Sequence, residues 1–113
     1  MKTQTLIHKV AFGMVPYVAP ELFNSKLPPY STKTDVYSLG VLLWEISSGR
    51  PPFKDHESDK LLIMSICQGM REEKVSDTPP DYHKLYTDCW DEDPKKRPVI
   101  EDVYGKLYSM LLI

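Results

Sequence analysis

Nine residues, Gly13-Met14-Val15-Pro16-Tyr17-Val18-Ala19-Pro20-Glu21, constrain the fold of this chain more than any other stretch. Pro16 and Pro20 each fix φ and remove a backbone donor. Each also pushes the residue before it, Val15 and Ala19, toward extended backbone. Two such restraints four residues apart rule out a continuous helix, yet the intervening side chains are apolar. The stretch therefore reads as an ordered loop held against a core, with Glu21 opening a short turn through Leu22 and Phe23.

The elements that follow are helical. Ser31 to Ser48 is the strongest: Ser31, Thr32 and Thr34 are good N-cap types, and Asp35 suits the positive end of the helix dipole. Val36, Leu39, Val41, Leu42, Leu43, Trp44 and Ile46 leave almost no polar side, the pattern of a buried helix. Gly49 supplies the C-terminal cap and Pro51-Pro52 prevents continuation. Gly40, inside the helix, costs about 1 kcal/mol against Ala, which predicts close packing at that point. Three shorter helices are expected over residues 58–70, 81–91 and 98–112, with Pro98 at the first position of the last. The face of the last helix is Val99, Ile100, Val103, Leu107, Met110 and Leu111, spaced three or four apart. No useful β-alternation and no internal repeat appear. The fold class expected is mainly α, one domain over residues 1–113, with no sheet.

Function classes narrow quickly. The formal net charge is −2, without the basic excess of a nucleic-acid footprint. Apolar runs such as Val41 to Trp44 are far short of a bilayer span, and Met1 to Gln4 does not open a signal peptide. No nucleic acid, no membrane and a cytoplasmic location are expected. Cys67 and Cys89 lie in apolar helical patterns without metal spacing and read as reduced core thiols. His8, His56 and His83 read as surface or packing residues, and Asp91-Glu92-Asp93 as a solvated turn, because it lacks the alternating spacing of a Ca2+ loop.

Three segments then carry a resemblance. They are Gly13 to Glu21, which ends in A-P-E; Asp35-Val36-Tyr37-Ser38-Leu39-Gly40 through Glu45, followed by Gly49-Arg50-Pro51-Pro52-Phe53; and Cys89-Trp90-Asp91 followed by Asp93-Pro94 and Lys96-Arg97-Pro98. A-P-E is a protein-kinase signature. Together the segments resemble the C-terminal part of a eukaryotic protein kinase C-lobe, of the tyrosine-kinase-like group with Ser/Thr specificity. Residues 1–23 would be the end of the activation segment and the A-P-E loop; Thr3 and Thr5 fall where phosphosites would lie, but an N-terminal dozen residues without anchors reads first as a frayed end. Residues 31–48 would be the central buried helix.

The resemblance implies roles. Gly13, Met14, Val15, Pro16 and Tyr17 would line the wall that receives the substrate residue after the phosphoacceptor. Ala19, Pro20, Glu21, Asp35, Trp44, Trp90 and Arg97 would be structural. Glu21 would pair with Arg97, Asp35 would accept backbone N–H groups of the catalytic loop, and the two tryptophans would be core aromatics. Met14 departs from the family, which usually has Thr or Ser there, with a hydroxyl for the catalytic Asp and Lys. No residue of this chain takes a catalytic, ATP-binding or metal-binding role, since no G-x-G-x-x-G, H-R-D or D-F-G occurs. ATP and Mg2+ belong to the complete family domain. Two functions follow: a piece of a kinase whose family activity is ATP-dependent phosphorylation of protein Ser/Thr, truncated at its N-terminal side and inactive alone; or a non-catalytic module that binds a partner protein through uncovered C-lobe core.

Overall fold

The computed structural model describes residues 14–24 and 30–112. Gly13, Thr3, Thr5, His8 and the connector 25–29 lie outside the described residues. After a single 3-10 turn, Val15–Tyr17, come five helices: α1 (Glu21–Asn24), α2 (Thr32–Ser48), α3 (Asp59–Cys67), α4 (Pro80–Cys89) and α5 (Ile100–Leu111). A second 3-10 turn, Pro94–Lys96, precedes α5. Among the described residues there is no strand, so the fold is mainly α.

Helix α2 is the axis. Its N-terminus is capped as its hydroxyl residues predict: Ser31 Oγ accepts from Lys33 N, and Thr34 Oγ1 accepts from Ser31 N, each at 3.2 Å. Gly49 closes it in the left-handed region at φ 72°. The turn Val15–Tyr17, α4, the turn Pro94–Lys96 and α5 all pack on α2. The main core takes Val36, Tyr37, Val41 and Trp44 from α2, Leu85, Tyr86 and Cys89 from α4, and Val103 from α5. A smaller core joins Val15 and Val18 of the loop to Leu62 and Ile66 of α3.

At Gly40 the helices α2 and α4 approach closely. A Cβ there would lie 2.7 Å from the Cys89 Cβ and 3.0 Å from the Tyr86 carbonyl oxygen. The helix thus tolerates its poorest ordinary residue because the neighbouring backbone occupies the space of a side chain.

Four expectations need adjusting. Helix α2 is not buried all round: Leu42 is 44% and Ile46 73% exposed, one open apolar stripe. Pro98 does not start α5, because Val99 is still extended at ψ 155° and the helix begins at Ile100; the proline at a first helical position is Pro80 of α4. Of the face expected for the last helix only Val103 is fully buried, while Val99, Ile100 and Leu111 are exposed. The expected 58–70 helix ends at Cys67, where Gln68 leaves helical geometry and Gly69 takes φ 105°.

Candidate functional site: the proline loop and its buried arginine

The turn Val15–Tyr17 closes by backbone bonds from Tyr17 N to Met14 O and from Val18 N to Val15 O. Pro16 sits in this turn and is buried, and Ala19 is fully buried with Pro20 beside it. Two side chains from α2 hold the turn from below. Ser38 donates to the Tyr17 carbonyl at 2.6 Å, and the Tyr17 hydroxyl donates to Glu45. Burial and this contact with Glu45 push the Tyr17 hydroxyl up to about 12, so it stays a donor at neutral pH. Met14, 48% exposed, stands at the outer edge.

Behind the loop lies the polar centre of the molecule. Arg97 is buried and donates to both oxygens of the Glu21 carboxylate, Nη1 to Oε2 and Nη2 to Oε1, each at 2.8 Å. Two further donors are used: Nε reaches the Asp91 carbonyl at 2.8 Å, and Nη1 reaches the Lys33 carbonyl at 3.0 Å. Thr34 Oγ1 donates to Glu21 Oε2 at 3.1 Å, and Lys33 Nζ donates to the Arg97 carbonyl at 2.8 Å. A planar guanidinium fork matches a carboxylate in this bidentate way, and a lysine does not. Burial acts to raise the Glu21 carboxyl; the bonds from Arg97, the backbone and Thr34 outweigh it and hold it below the usual carboxylate range.

The Tyr37 ring underlies this centre. The guanidiniums of Arg97 and Arg71 each lie 5.1 Å from its centroid. Arg71 in turn donates to the Trp90, Ile66 and Met70 carbonyls, joining the ends of α3 and α4. Burial pushes the Tyr37 hydroxyl up to about 12 despite the two cations.

The remaining residues singled out from the sequence separate into two groups. Trp44 is 1% exposed and donates from Nε1 to the Glu73 carbonyl; Trp90 is 6% exposed and meets Tyr86 edge-on. Asp35 stands apart on the exposed side, where its carboxylate accepts from the Tyr30 hydroxyl. Both cysteines are free thiols, and burial pushes Cys89 up to about 12. Among the described residues, no three His, Cys, Asp or Glu side chains gather to hold a metal ion. No described helix is long and apolar enough to cross a membrane.

Sequence reasoning missed Lys33, Ser38 and Arg71, and saw Thr34 only as a cap. Each acts through a hydrogen bond to a residue remote in sequence, for which local patterns carry no signal.

A family model of protein tyrosine and serine/threonine kinases matches residues 2–107. The chain belongs to this kinase family. It is 32% identical over 105 residues to the dual specificity protein kinase shkD of Dictyostelium discoideum, covering 92% of this chain and 14% of the relative. It is 38% identical over 96 residues to vascular endothelial growth factor receptor 1 of Homo sapiens, covering 84% of this chain and 7% of the receptor. It is 34% identical over 98 residues to the probable serine/threonine-protein kinase roco7 of Dictyostelium discoideum, covering 83% and 4%. The chain thus spans a small fraction of these kinase-family relatives, and its helical architecture is that of a kinase C-lobe fragment.

Proposed function

We propose that these residues form the substrate-side part of a kinase C-lobe, serving ATP-dependent phosphoryl transfer to Ser or Thr of a protein, in the cytoplasm. In this role Met14, Val15, Pro16 and Tyr17, with Gly13 before them, form the wall beside the residue that follows the phosphoacceptor. Glu21 and Arg97 keep that wall in register with α2. The observation that carries the proposal is the bidentate pair itself, buried and braced by Thr34 and the Asp91 and Lys33 carbonyls. A loop that must present a peptide repeatedly in one geometry needs such an anchor, since positioning supplies much of the catalysis in phosphoryl transfer. Asp35, near the start of α2, would receive backbone donors from a catalytic loop. ATP and Mg2+ would be held by motifs that these 113 residues do not contain.

The test uses the longest native product that contains these residues, assayed with MgATP and a protein substrate. Arg97→Ala should lower kcat/KM by at least tenfold, with a raised KM for the protein and little change in KM for ATP. Equal activity of the variant and the unaltered protein contradicts the proposal.

A second function is supported by the open stripe of α2, where Leu42 and Ile46 are exposed. Two apolar side chains one turn apart and open to solvent fit contact with another surface. A non-catalytic module would use it to hold a partner protein. Cooperative unfolding of the isolated chain, with no bound hydrophobic dye, favours an evolved module; dye binding and aggregation favour a kinase piece whose neighbouring elements are lacking.

A further inference from the structure

The loop between α2 and α3 contains a bulky residue in a backbone region that such residues rarely adopt. Phe53 has φ 51°. A non-glycine, aromatic residue in the left-handed region is strained and persists only when its surroundings hold it. Here both of its peptide groups are held. The Phe53 N–H donates to Glu72 Oε2 at 2.6 Å, and its carbonyl accepts from the His56 backbone N–H at 3.1 Å. The same carbonyl is also 2.6 Å from His56 Nδ1, while His56 Nε2 lies 2.9 Å from Asp59 Oδ1 at the start of α3.

Both ring nitrogens of His56 therefore face groups that only accept. A neutral imidazole carries one N–H and can satisfy one of them; the imidazolium carries two and satisfies both. We propose that His56 is a proton-dependent clasp, closed as imidazolium, that fastens the strained Phe53 loop to the N-terminus of α3. Acidic groups outnumber basic ones around it. Asp55 and Glu72 share the cavity of about 300 Å³ that His56 lines, and Asp59 is bonded to the ring; Arg50 and Lys54 line the same cavity. Three carboxylates thus face two cations, which favours the protonated ring. The Phe53 carbonyl and then Asp59 raise the His56 pKa above its ordinary value, against a smaller opposing effect of burial.

The clasp reaches the proline loop. Phe53 packs against the small core formed by Val15 and Val18 with Leu62 and Ile66. Loosening Phe53 removes one support of the turn Val15–Tyr17. The clasp is independent of the proposed kinase role, because its closure is read from the ring and the loop rather than from activity.

The sign follows from linkage: a histidine whose folded pKa lies above its unfolded value contributes stability that is complete below about pH 6.5 and is lost as pH rises through the folded pKa. The experiment titrates the His56 ring by NMR in the 113-residue chain and in Asp59→Asn, and follows tryptic cleavage after Lys54 from pH 6 to pH 8 in the unaltered chain and in His56→Gln. The ring should titrate above pH 6.5 and shift downward in Asp59→Asn. Cleavage should accelerate several-fold more with pH in the unaltered chain than in His56→Gln, whose side chain does not titrate. A ring that titrates at or below pH 6.5, or cleavage with the same pH dependence in both chains, overturns the clasp.

Discussion

Arg97 and Glu21 stand 76 residues apart in sequence and meet through two parallel hydrogen bonds of 2.8 Å. The Arg97 side chain is wholly buried and that of Glu21 is 11% exposed, so little water competes for either charge. Removing one partner of a buried pair strands the other and costs about 3–5 kcal/mol. Arg97→Ala and Glu21→Ala should each lower the unfolding free energy of the chain by about that amount, measured by urea denaturation. Arg97→Lys should recover only part of the loss, since lysine keeps the charge but loses the fork and the stacking on Tyr37.

The same pair predicts an acid sensitivity. The Glu21 carboxyl is held below the usual carboxylate range, so the stability it contributes is present above its unfolded pKa and is lost as pH falls through the lowered folded value. Urea midpoints taken from pH 7 to pH 3 should fall more steeply in the unaltered chain than in Glu21→Gln. Parallel curves would mean that Glu21 is no more acidic in the folded chain than in the unfolded one.

Gly40 offers a test of packing against propensity. Alanine is worth about 1 kcal/mol more than glycine inside a helix, so Gly40→Ala would stabilise an unconstrained helix. Here the new Cβ meets Cys89 Cβ at 2.7 Å and the backbone of α4 just beyond. Overpacking of this kind costs about 1–3 kcal/mol, and the net effect should be destabilising. A higher melting temperature for Gly40→Ala would show that α2 and α4 separate easily.

Tyr86 buries its hydroxyl without a hydrogen-bond partner among the described residues. An unpaired buried polar group costs about 1–3 kcal/mol, and replacing it by apolar surface of the same shape can be neutral or favourable. Tyr86→Phe should therefore leave the chain as stable as before or more stable, and its edge-on contact with Trp90 should survive. A loss above 1 kcal/mol, on the order of a net hydrogen bond, would indicate that the hydroxyl has a partner.

The open stripe of α2 separates surface from core. Ile46→Lys, at a residue 73% exposed, should change stability by no more than about 0.5 kcal/mol. It should lower hydrophobic-dye binding and aggregation. Val41, 2% exposed and five residues away on the buried side, serves as the contrast: Val41→Ala should destabilise measurably without reducing dye binding.

Much of this fold was legible because its signals are local. Ser31 with Thr34, and Gly49 before Pro51-Pro52, bound α2 almost to the residue. Gly40 marked a close approach because a glycine there has no local benefit. Signals that depend on which neighbours exist were less reliable. The apolar residues of α2 imply burial on every side, but exposure of Leu42 and Ile46 depends on elements that no helix period encodes. Pro80 and Pro98 look alike as helix starters; only tertiary packing decides that one begins a helix and the other precedes it. From sequence His56 reads as a surface or packing residue, because nothing local shows that its ring meets the carbonyl of Phe53, whose backbone is left-handed. The meeting of Glu21 with Arg97 was implied by family resemblance alone, since charge pairing over such a separation leaves no local pattern.

The decisive measurement is phosphoryl transfer by the purified 113-residue chain, supplied with labelled MgATP and a generic protein substrate. The chain holds the loop proposed to face the substrate, with its scaffold, but none of the family's nucleotide or metal motifs, so labelling should not exceed that of a heat-denatured control. Transfer above that control, lost in Arg97→Ala, would contradict the division of labour proposed here and place the chemistry within these residues.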